Sequence, residues 1–380
     1  MSMTEFNLPT KIIFGEGAFT RLADEASTLG KRAVIVSGQN NLRRLGILDK
    51  AADMLEHAGI QAFLFDKIES NPRASTVDEG AALVRNEHID LVIALGGGSA
   101  MDAAKGIALA AADNHPVWHY ITTNDNPAGK VPPLLMGPTV AASGSEVNSG
   151  AVITNWTSHQ KRVLSRPSLQ PRAAVIDPEL TLSLPLKPTL QGGVDIFCHA
   201  LEPYITASIP EDLNDGWREA MMRTVVTYLP VLRDNLHDIE ARRALSWAST
   251  MACSAFSGLG GGNGSMTLHG IEHPVSGLYD IAHGNGLAAM LPAWLADVSR
   301  VKADRINLLG ERVFSTEDGL KAVEDWLKSV GMKLRLKGLG VAESAIPELA
   351  RLAVVSSPWI VNNPTEVNQA DLERLYRMAW

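Results

Sequence analysis

Short apolar runs alternate with helical patterns through the first half of the chain, and this alternation limits the possible folds more than any other feature. Strands are predicted at five apolar runs, RAVIVS (32–37), QAFLFD (61–66), LVIALGG (91–97), PLLMGPT (133–139) and AAVIDP (173–178). Helices are predicted through Leu48–His57, from about Ser75, and through Ala100–Ala112. Near-continuous apolar strands separated by helices are typical of a parallel sheet covered on both faces. The first half is therefore predicted to be an α/β domain.

The second half has long helical patterns and no convincing strand. Helices are predicted at Asp212–Leu229, Ile239–Ser254, Glu317–Val330 and Gln369–Ala379. The change falls at the proline-rich segment LSLPLKPTL (182–190), where Pro188 suits the start of a helix. We predict an α/β domain over residues 1–185 and an all-helical domain over residues 186–380. A cleft between two such domains is a common place for a ligand site.

Charge and cysteine content exclude several partners and locations. A net charge of −8, with only scattered basic pairs, argues against binding to nucleic acid or to an anionic membrane. No apolar segment is long enough to span a bilayer, and the N-terminus lacks the pattern of a signal peptide. Two cysteines, Cys198 and Cys253, cannot build a disulfide framework. These features predict a cytoplasmic protein, and Cys198 is interpreted as a packing residue.

A glycine-rich turn, Gly96-Gly97-Gly98-Ser99, joins the predicted strand LVIAL to the helix that follows it. Glycines let the backbone turn sharply and approach a ligand, and the free N–H groups of a helix N-terminus favour an anion. The pyrophosphate of a dinucleotide belongs at such a point. The turn matches neither the G-x-G-x-x-G fingerprint nor a P-loop, so the residues alone leave a bare strand–helix turn as an alternative.

Five side chains in the helical half have the types and spacing of a metal site. Asp195 and His199 are four residues apart, as are His269 and His273, and His283 follows ten residues later. Residues at i and i+4 share one helix face, so each pair can converge on one point. Four of the five groups can surround a divalent ion, and imidazole with carboxylate suits Fe²⁺ or Zn²⁺ without separating them. Each pair taken alone is also explained by a local surface pair or by chance.

The residues around these histidines predict local backbone features. Pro274 is expected to kink or end the helix that carries His273. Gly284 and Gly286 indicate a tight loop beside His283 rather than a regular helix.

Several motifs together resemble those of the iron-containing (group III) alcohol dehydrogenase family. GGGSAMDAAK is similar to the family's GGGSxxDxAK loop, and PTVAASGSEV (138–147) to its PTTAGTGSEV segment. GGVDIFCHALEPY and HGIEHPVSGLYDIAHGNG resemble its two metal-ligand stretches, and FGEGA and NNPTEVNQADLERLY resemble its ends. The resemblance runs from about residue 6 to the end, in the same order. The segment SGSEVNSGAVIT resembles the corresponding segment in the branch that contains NADPH-dependent aldehyde reductases and butanol dehydrogenases.

This resemblance implies a role for each candidate residue. The fold would be an α/β dinucleotide-binding domain followed by an all-α metal- and substrate-binding domain. One divalent ion would be bound by Asp195, His199, His269 and His283. His273 would be a further histidine near the substrate, where it could carry a proton. The nucleotide contacts would be Gly97, Gly98, Ser99 and Asp102, with Thr139, Ser143 and Lys161 near the phosphates, ribose or nicotinamide.

Two departures from the family pattern affect the nicotinamide side. The family's Thr-Thr-Ala-Gly-Thr reads Thr139-Val140-Ala141-Ala142-Ser143 here. The chain therefore loses a hydroxyl at Val140 and a glycine at Ala142, and the contacts of this loop are less closely implied than the metal ligands.

The implied activity is metal-dependent hydride transfer between NAD(P)(H) and a small alcohol or aldehyde, in a homo-oligomer for which the resemblance favours a dimer. Three alternatives remain at this point. A lyase similar to dehydroquinate synthase would need several Lys and Arg side chains for a polyanionic substrate, and the metal stretches are poor in them. A glycerol dehydrogenase-like enzyme fits the Asp/His/His/His pattern less well. A non-catalytic nucleotide- or metal-binding relative would not need every ligand.

The residues after the first predicted strand favour NADP over NAD. In nucleotide-binding folds of this kind an acidic residue here bonds the ribose 2′-OH and repels a 2′-phosphate. The strand RAVIVS is followed by Gly38-Gln39-Asn40-Asn41, where many NAD-preferring family members carry Asp. Gly38 leaves room, Gln39 can donate a hydrogen bond, and Arg43 or Arg44 would favour added negative charge. The alternative is that the loop only turns the chain.

Overall fold

Six strands, each parallel to its neighbours, form the sheet of the N-terminal half. The computed structural model describes residues 7–39, 41–208, 212–254, 256 and 264–380. In chain-order numbering, the sheet strands are β1 Lys11–Phe14, β2 Arg32–Gly38, β3 Gln61–Ile68, β4 Leu91–Gly96, β5 Leu134–Pro138 and β8 Ala173–Ile176. Their spatial order is β1-β8-β5-β4-β2-β3. The predicted parallel sheet is confirmed, and all five predicted strands lie in it.

Helices cover both faces of this sheet, which is why its strands are apolar on both sides. These helices are α1 Leu22–Ser27, α2 Asn41–Arg44, α3 Ile47–His57, α4 Ala74–Asn86, α5 Gly98–Ala111 and α6 Val117–Thr123. Along β2, Val34 and Val36 join the core cluster formed with α4 and α5. The alternate residues, Ala33 and Ile35, join the cluster formed with α1 and α3. Side chains of a strand alternate between faces, so a two-sided core requires a continuous apolar run.

Several short elements of this half were not predicted from the sequence. The edge strand β1 has only four residues and is mostly half-buried, so it carries a weak apolar signal. An antiparallel hairpin is formed by β6 Gly150–Asn155 and β7 Gln160–Ser165. The sequence of β7, QKRVLS, has only two apolar residues, and its Lys161 is buried although it is polar. The short helices α1, α2 and α6 were not predicted either.

The C-terminal half is helical throughout the part that the structure describes. Its helices are α7 Leu186–Thr206, α8 Asp212–Asp234, α9 Ile239–Ala252, α10 Thr267–Tyr279, α11 His283–Leu309, α12 Gly319–Ser329, α13 Ile346–Ser356 and α14 Gln369–Ala379. Their core contains the fully buried Phe197, Tyr204, Trp294 and Tyr376. Cys198 is buried in the same core, which confirms its interpretation as a packing residue. Among the described helices, none combines the length and apolarity needed to cross a membrane.

The structure corrects the expected backbone around His283. Gly284 and Gly286 do not form a tight loop but lie in the first turn of α11, which begins at His283 itself. These glycines allow close packing instead, because a Cβ on Gly284 would lie 2.3 Å from the carbonyl oxygen of Gln191. Pro274 does not end its helix, since α10 continues through it to Tyr279.

Candidate metal centre and cofactor cleft

A cleft of about 970 Å³ lies where the carboxyl ends of β2, β4 and β5 face helices α7, α10 and α11. Ligands of parallel α/β sheets bind outside the carboxyl ends of the strands. Every residue proposed from the sequence as catalytic, cofactor-binding or metal-binding lines this cleft: Gly38, Gln39, Gly97, Gly98, Ser99, Asp102, Thr139, Ser143, Lys161, Asp195, His199, His269, His273 and His283. The fold therefore brings the glycine-rich turn and the helical-domain histidines to one cavity.

The glycine-rich turn places the N-terminus of α5 at the floor of the cleft. Gly97 is in an extended conformation before the helix, and α5 begins at Gly98. A Cβ on Gly98 would lie 2.5 Å from Ser143 Oγ, so the loop that carries Ser143 approaches this turn closely. The free N–H groups of the first turn of α5 and its dipole create a site suited to a phosphate group.

Asp102 and Lys105 on α5 anchor the second loop of the cleft. Asp102 accepts a hydrogen bond from Ser145 Oγ (2.7 Å) through one oxygen and from the backbone N–H of Val152 (2.9 Å) through the other. Lys105 is fully buried, and burial lowers its pKa to about 8. Its ammonium donates to Ser145 O and Oγ, Asn148 Oδ1 and Gly150 O. Asp102 thus lines the cleft with both oxygens already engaged by the protein.

Three histidines, one on each of three helices, converge on one oxygen of Asp195. Asp195 and His199 come from α7, His269 from α10, and His283 is the first residue of α11. Asp195 Oδ1 lies 3.6 Å from His199 Nδ1, 3.3 Å from His269 Nε2 and 3.8 Å from His283 Nε2. Ligand atoms of the first three all lie within 4.8 Å of one another. Three nitrogens around a carboxylate oxygen form a donor set that suits a divalent transition ion.

Burial and mutual charge shift the titration of these groups strongly. Burial, with the charges of His269 and His283, lowers the pKa of His199 to about 3. Burial opposes protonation of His269 too, but the carboxylates of Glu202 and Asp195 outweigh it and raise its pKa to about 10. His199 Nδ1 is buried and has no hydrogen-bond partner in the protein. A buried nitrogen without a partner, aimed at a carboxylate and two further imidazoles, fits a divalent ion at their centre.

Two buried glutamates, not identified from the sequence, lie behind two of the histidines. His269 donates from Nδ1 to Glu202, and His283 donates from Nδ1 to Glu272. Both glutamates are fully buried. Their spacing held a usable signal, because Glu202 follows Asp195 by seven residues and Glu272 follows His269 by three. Both spacings place the glutamate on the helix face that carries the preceding site residues.

His273 lies beside this group without belonging to the three-residue cluster. Its ring centroid is 5.9 Å from that of His283 and 5.8 Å from that of Trp359. Burial, together with the charges of Lys161, His283 and His269, lowers the pKa of His273 well below its ordinary value. A histidine ordinarily has a pKa near neutrality, and burial moves this imidazole away from that value. At neutral pH this imidazole is therefore uncharged.

Lys161 connects the hairpin to the helical domain. Its buried ammonium donates to Asn71 Oδ1 (3.0 Å), and the Asn71 amide donates to Asp280 Oδ1 (2.9 Å). Arg73 pairs with the other oxygen of Asp280 (2.7 Å) and stacks on Trp156, 3.5 Å from the ring centroid. Asp280 lies three residues before His283. These contacts fix the position of the Lys161 ammonium relative to the metal-site helices.

The loop after β2 lines the cleft through Gly38, Gln39 and Asn41. Gln39 donates from Nε2 to the carbonyl oxygen of Lys67 (3.1 Å), and Asn40 falls outside the described residues. Arg43 is held by an ion pair with Asp66 (2.6 Å) rather than free. Arg44 donates to Asn41 Oδ1 (3.3 Å) and is exposed. Of the two arginines named from the sequence, Arg44 is therefore the one without a carboxylate partner among the ion pairs of the described residues.

A dinucleotide-type cleft that ends at a buried carboxylate–histidine group defines a metal-dependent nicotinamide oxidoreductase. Residues 9–178 match the family model described as iron-containing alcohol dehydrogenase. Residues 189–380 match the model of the C-terminal region of the same family. The chain belongs to the iron-containing alcohol dehydrogenase family. It is accordingly an enzyme that transfers hydride between NAD(P)(H) and an alcohol or aldehyde.

Individual relatives agree with this membership along the whole chain. NADH-dependent butanol dehydrogenase A of Clostridium acetobutylicum is 29% identical, over 99% of this chain and 99% of its own length. NADPH-dependent aldehyde reductase YqhD of Escherichia coli is 30% identical, over 92% of each chain. The crystal structure of NADH-dependent butanol dehydrogenase A from Thermotoga maritima superimposes with a TM-score of 0.94 at 29% identity, covering 100% of this chain and 99% of that one. The predicted family and its butanol dehydrogenase and aldehyde reductase branch are confirmed.

Proposed function

We propose that this enzyme reduces short-chain aldehydes to primary alcohols, with one divalent ion bound by Asp195, His199, His269 and His283. The observation that carries the proposal is the approach of three imidazole nitrogens to within 3.8 Å of Asp195 Oδ1. This group lines the same cleft as the N-terminus of α5. Its relatives include a butanol dehydrogenase and an aldehyde reductase, which favours a small unbranched substrate.

Each part of the cleft has a distinct task in this reaction. The divalent ion, when bound, supplies Lewis-acid polarisation of the substrate oxygen, and the nicotinamide supplies the hydride chemistry. The turn at Gly97, Gly98 and Ser99 binds the pyrophosphate through backbone N–H groups and the helix dipole. Asp102 holds the neighbouring loop in place through its bonds to Ser145 and Val152. Thr139 and Ser143 on that loop, and Lys161 on the hairpin, contact the ribose or nicotinamide side.

His273 is proposed to exchange the proton of the substrate hydroxyl with solvent. Its Nδ1 is buried without a hydrogen-bond partner in the protein, so that nitrogen is free to accept a proton. The lowered pKa keeps it neutral before the reaction, as a proton acceptor requires during alcohol oxidation. In the reductive direction the same nitrogen returns a proton to the product oxygen.

Cofactor choice is proposed to favour NADP(H). No carboxylate stands at Gln39, where an acidic residue would repel a 2′-phosphate. Gly38 leaves space, and the exposed Arg44 lies five residues after Gln39. The ion pair of Arg43 with Asp66 reduces the share of the preference that this arginine can supply.

The experiment that tests the proposed function follows aldehyde-dependent oxidation of NADPH at 340 nm. Butanal and propanal are compared with glyceraldehyde and with a polyanionic ketoacid. Saturable oxidation with the short aldehydes, abolished by a strong chelator, is the expected result. Absence of turnover with every aldehyde, in enzyme that holds its metal, would contradict it.

Assembly as a homodimer and location in the cytoplasm stay predictions. The edge strand β1 pairs only with β8 within the described residues, which leaves one side of its backbone available to another chain. Light scattering on the purified enzyme measures the mass of the assembly directly.

A further inference from the structure

Buried glutamates on two of the metal-site helices each bind a histidine on the next metal-site helix along the chain. Helix α7 carries Asp195, His199 and then Glu202, and Glu202 binds the histidine of the next site helix, His269. Helix α10 carries His269 and then Glu272, and Glu272 binds the histidine of the third helix, His283. Each of the first two site helices, α7 and α10, therefore also holds the histidine of the next one.

The two glutamates are built tightly into their positions. Glu202 accepts from the ring of His269 through Oε1 and from the backbone N–H of the same residue (3.2 Å) through Oε2. Glu272 accepts from His283 through Oε2 and from Ser276 Oγ (2.5 Å) through Oε1. A Cβ on Gly286 would lie 2.1 Å from Glu272 Oε1, so only glycine fits opposite this carboxylate. Both glutamates have no exposed surface.

His199 provides an internal contrast. Its Nδ1 faces Asp195, and its ring is bonded to the backbone of Ala142 instead of to a carboxylate. A histidine whose far N–H is held by a carboxylate has a fixed tautomer and orientation, and its ligating nitrogen is more basic than that of a histidine held by a neutral carbonyl. The site thus contains two histidines held by carboxylates, His269 and His283, and one held by a backbone group, His199.

Charge balance in the cleft agrees with this arrangement. Asp195, Glu202 and Glu272 bring three negative charges into a buried region, and the Lys161 ammonium lies near enough to Glu272 and Asp195 to interact with them. A divalent cation together with Lys161 compensates three carboxylates when the histidines are neutral. Buried carboxylates without such compensation are costly.

We propose that Glu202 and Glu272 are positioning residues that hold His269 and His283 with Nε2 toward the metal, and that their negative charge sets the affinity of the site for a divalent cation. This inference rests on the proposed metal ligands. It goes beyond them by assigning the affinity to two side chains that do not touch the ion. Removing either charge weakens metal binding while leaving the nucleotide end of the cleft unchanged.

The test measures the metal affinity of the variants Glu202→Gln and Glu272→Gln, which keep the size and one acceptor oxygen of the side chain. The metal-free proteins are titrated with Zn²⁺ in competition with a chromophoric chelator, and with Co²⁺ while the visible absorption of the site is recorded. Each variant should bind about 10- to 100-fold more weakly than the wild type, with a changed Co²⁺ spectrum. The dissociation constant of NADPH, measured by fluorescence, should stay within about twofold in both variants because the glutamates lie away from the nucleotide end.

The matched control is Asp297→Asn. Asp297 is a buried carboxylate on α11, the helix of His283, but its partners are Arg300, Thr365 and Arg374. It should retain the affinity of the wild type for Zn²⁺. Affinities of both glutamine variants within twofold of the wild type, or an equal loss in Asp297→Asn, would overturn the inference.

Failure of the proposed function gives a different result. If the wild type itself binds no stoichiometric ion, the metal ligands are wrong and the glutamates have nothing to position. If Glu272→Gln does not fold, Glu202→Gln decides alone, because Glu202 lies on another helix and holds another histidine.

Discussion

Asp195 Oδ1 on α7 lies 3.3 Å from His269 Nε2 on α10, although the two residues are 74 positions apart in the chain. The two side chains meet because α7 and α10 pack in one helical core, with Tyr204 and Ile271 buried between other apolar residues of that core. A donor group assembled by tertiary packing, rather than by a local sequence motif, depends on the whole helical half being folded.

Replacing His283 or His269 with Ala should remove most of the bound metal and most of the activity. Each substitution takes one nitrogen from the group around Asp195, and three or four protein ligands are needed for stable binding. Metal content by mass spectrometry and aldehyde-dependent NADPH oxidation measure the two effects. The exposed His237→Ala serves as the control, and full metal with full activity in either site variant would exclude that residue as a ligand.

His273→Ala should keep the metal and lose turnover. Loss of a positioned proton-transfer group costs about 10²-fold or more in rate. The loss should be largest in kcat and should change the shape of the pH–rate profile. A variant that retains wild-type kcat across the pH range would leave His273 with a packing role against Trp359. Loss of metal would instead make it a ligand.

Gly286→Ala should destabilise the protein and weaken metal binding together. Its Cβ would lie 2.1 Å from Glu272 Oε1 and 2.7 Å from Glu272 Cγ, so the glutamate that holds His283 has to move. Overpacking of this kind costs about 1–3 kcal/mol. Gly216→Ala on α8 is the matched control because nothing lies within 4 Å of its Cβ, and it should be neutral or slightly stabilising. Denaturant unfolding and metal titration compare the two variants.

Gln39→Asp should shift cofactor preference from NADPH toward NADH. A carboxylate at this position repels a 2′-phosphate and accepts from the ribose 2′-OH, so the ratio of kcat/KM for NADPH to that for NADH should fall by about tenfold or more. Asn235→Asp adds the same charge at an exposed site that does not line the cleft and should leave the ratio unchanged. A wild type that already prefers NADH, or a ratio that Gln39→Asp does not move, would place the 2′-position elsewhere.

The central strands and long helices could be predicted because their apolar patterns follow directly from burial. β2 is buried on both faces and shows a continuous apolar run, and α14 is bounded by Gln369 and Ala379 as its periodicity indicated. The β6–β7 hairpin was missed because β6, GAVITN, has only three consecutive apolar residues and β7, QKRVLS, only two. A weak local pattern of this kind becomes a stable element only through its tertiary contacts.

In the candidate site too, residues with a local sequence pattern were predicted, and residues that depend on tertiary contacts were missed. Asp195, His199 and His269 were identified because ligand residue types at i, i+4 spacing leave a local signature. The prediction of a loop at Gly284 and Gly286 was wrong because these glycines instead let α11 pack closely against Gln191 and Glu272, which lie on other helices. Glu202 and Glu272 were missed for a related reason. A buried glutamate looks like any other helical glutamate until its histidine partner on another helix is known.

Removal and return of the metal is the most direct test that aldehyde reduction depends on a bound divalent ion. The purified enzyme is stripped with a strong chelator, and activity with butanal and NADPH is followed as Fe²⁺ or Zn²⁺ is added back in known amounts. Activity should disappear with the metal, and at least one of the two ions should restore it, with a break in the titration curve at about one ion per chain. Full aldehyde reductase activity in enzyme proven free of metal would contradict the proposal that the reaction depends on the metal.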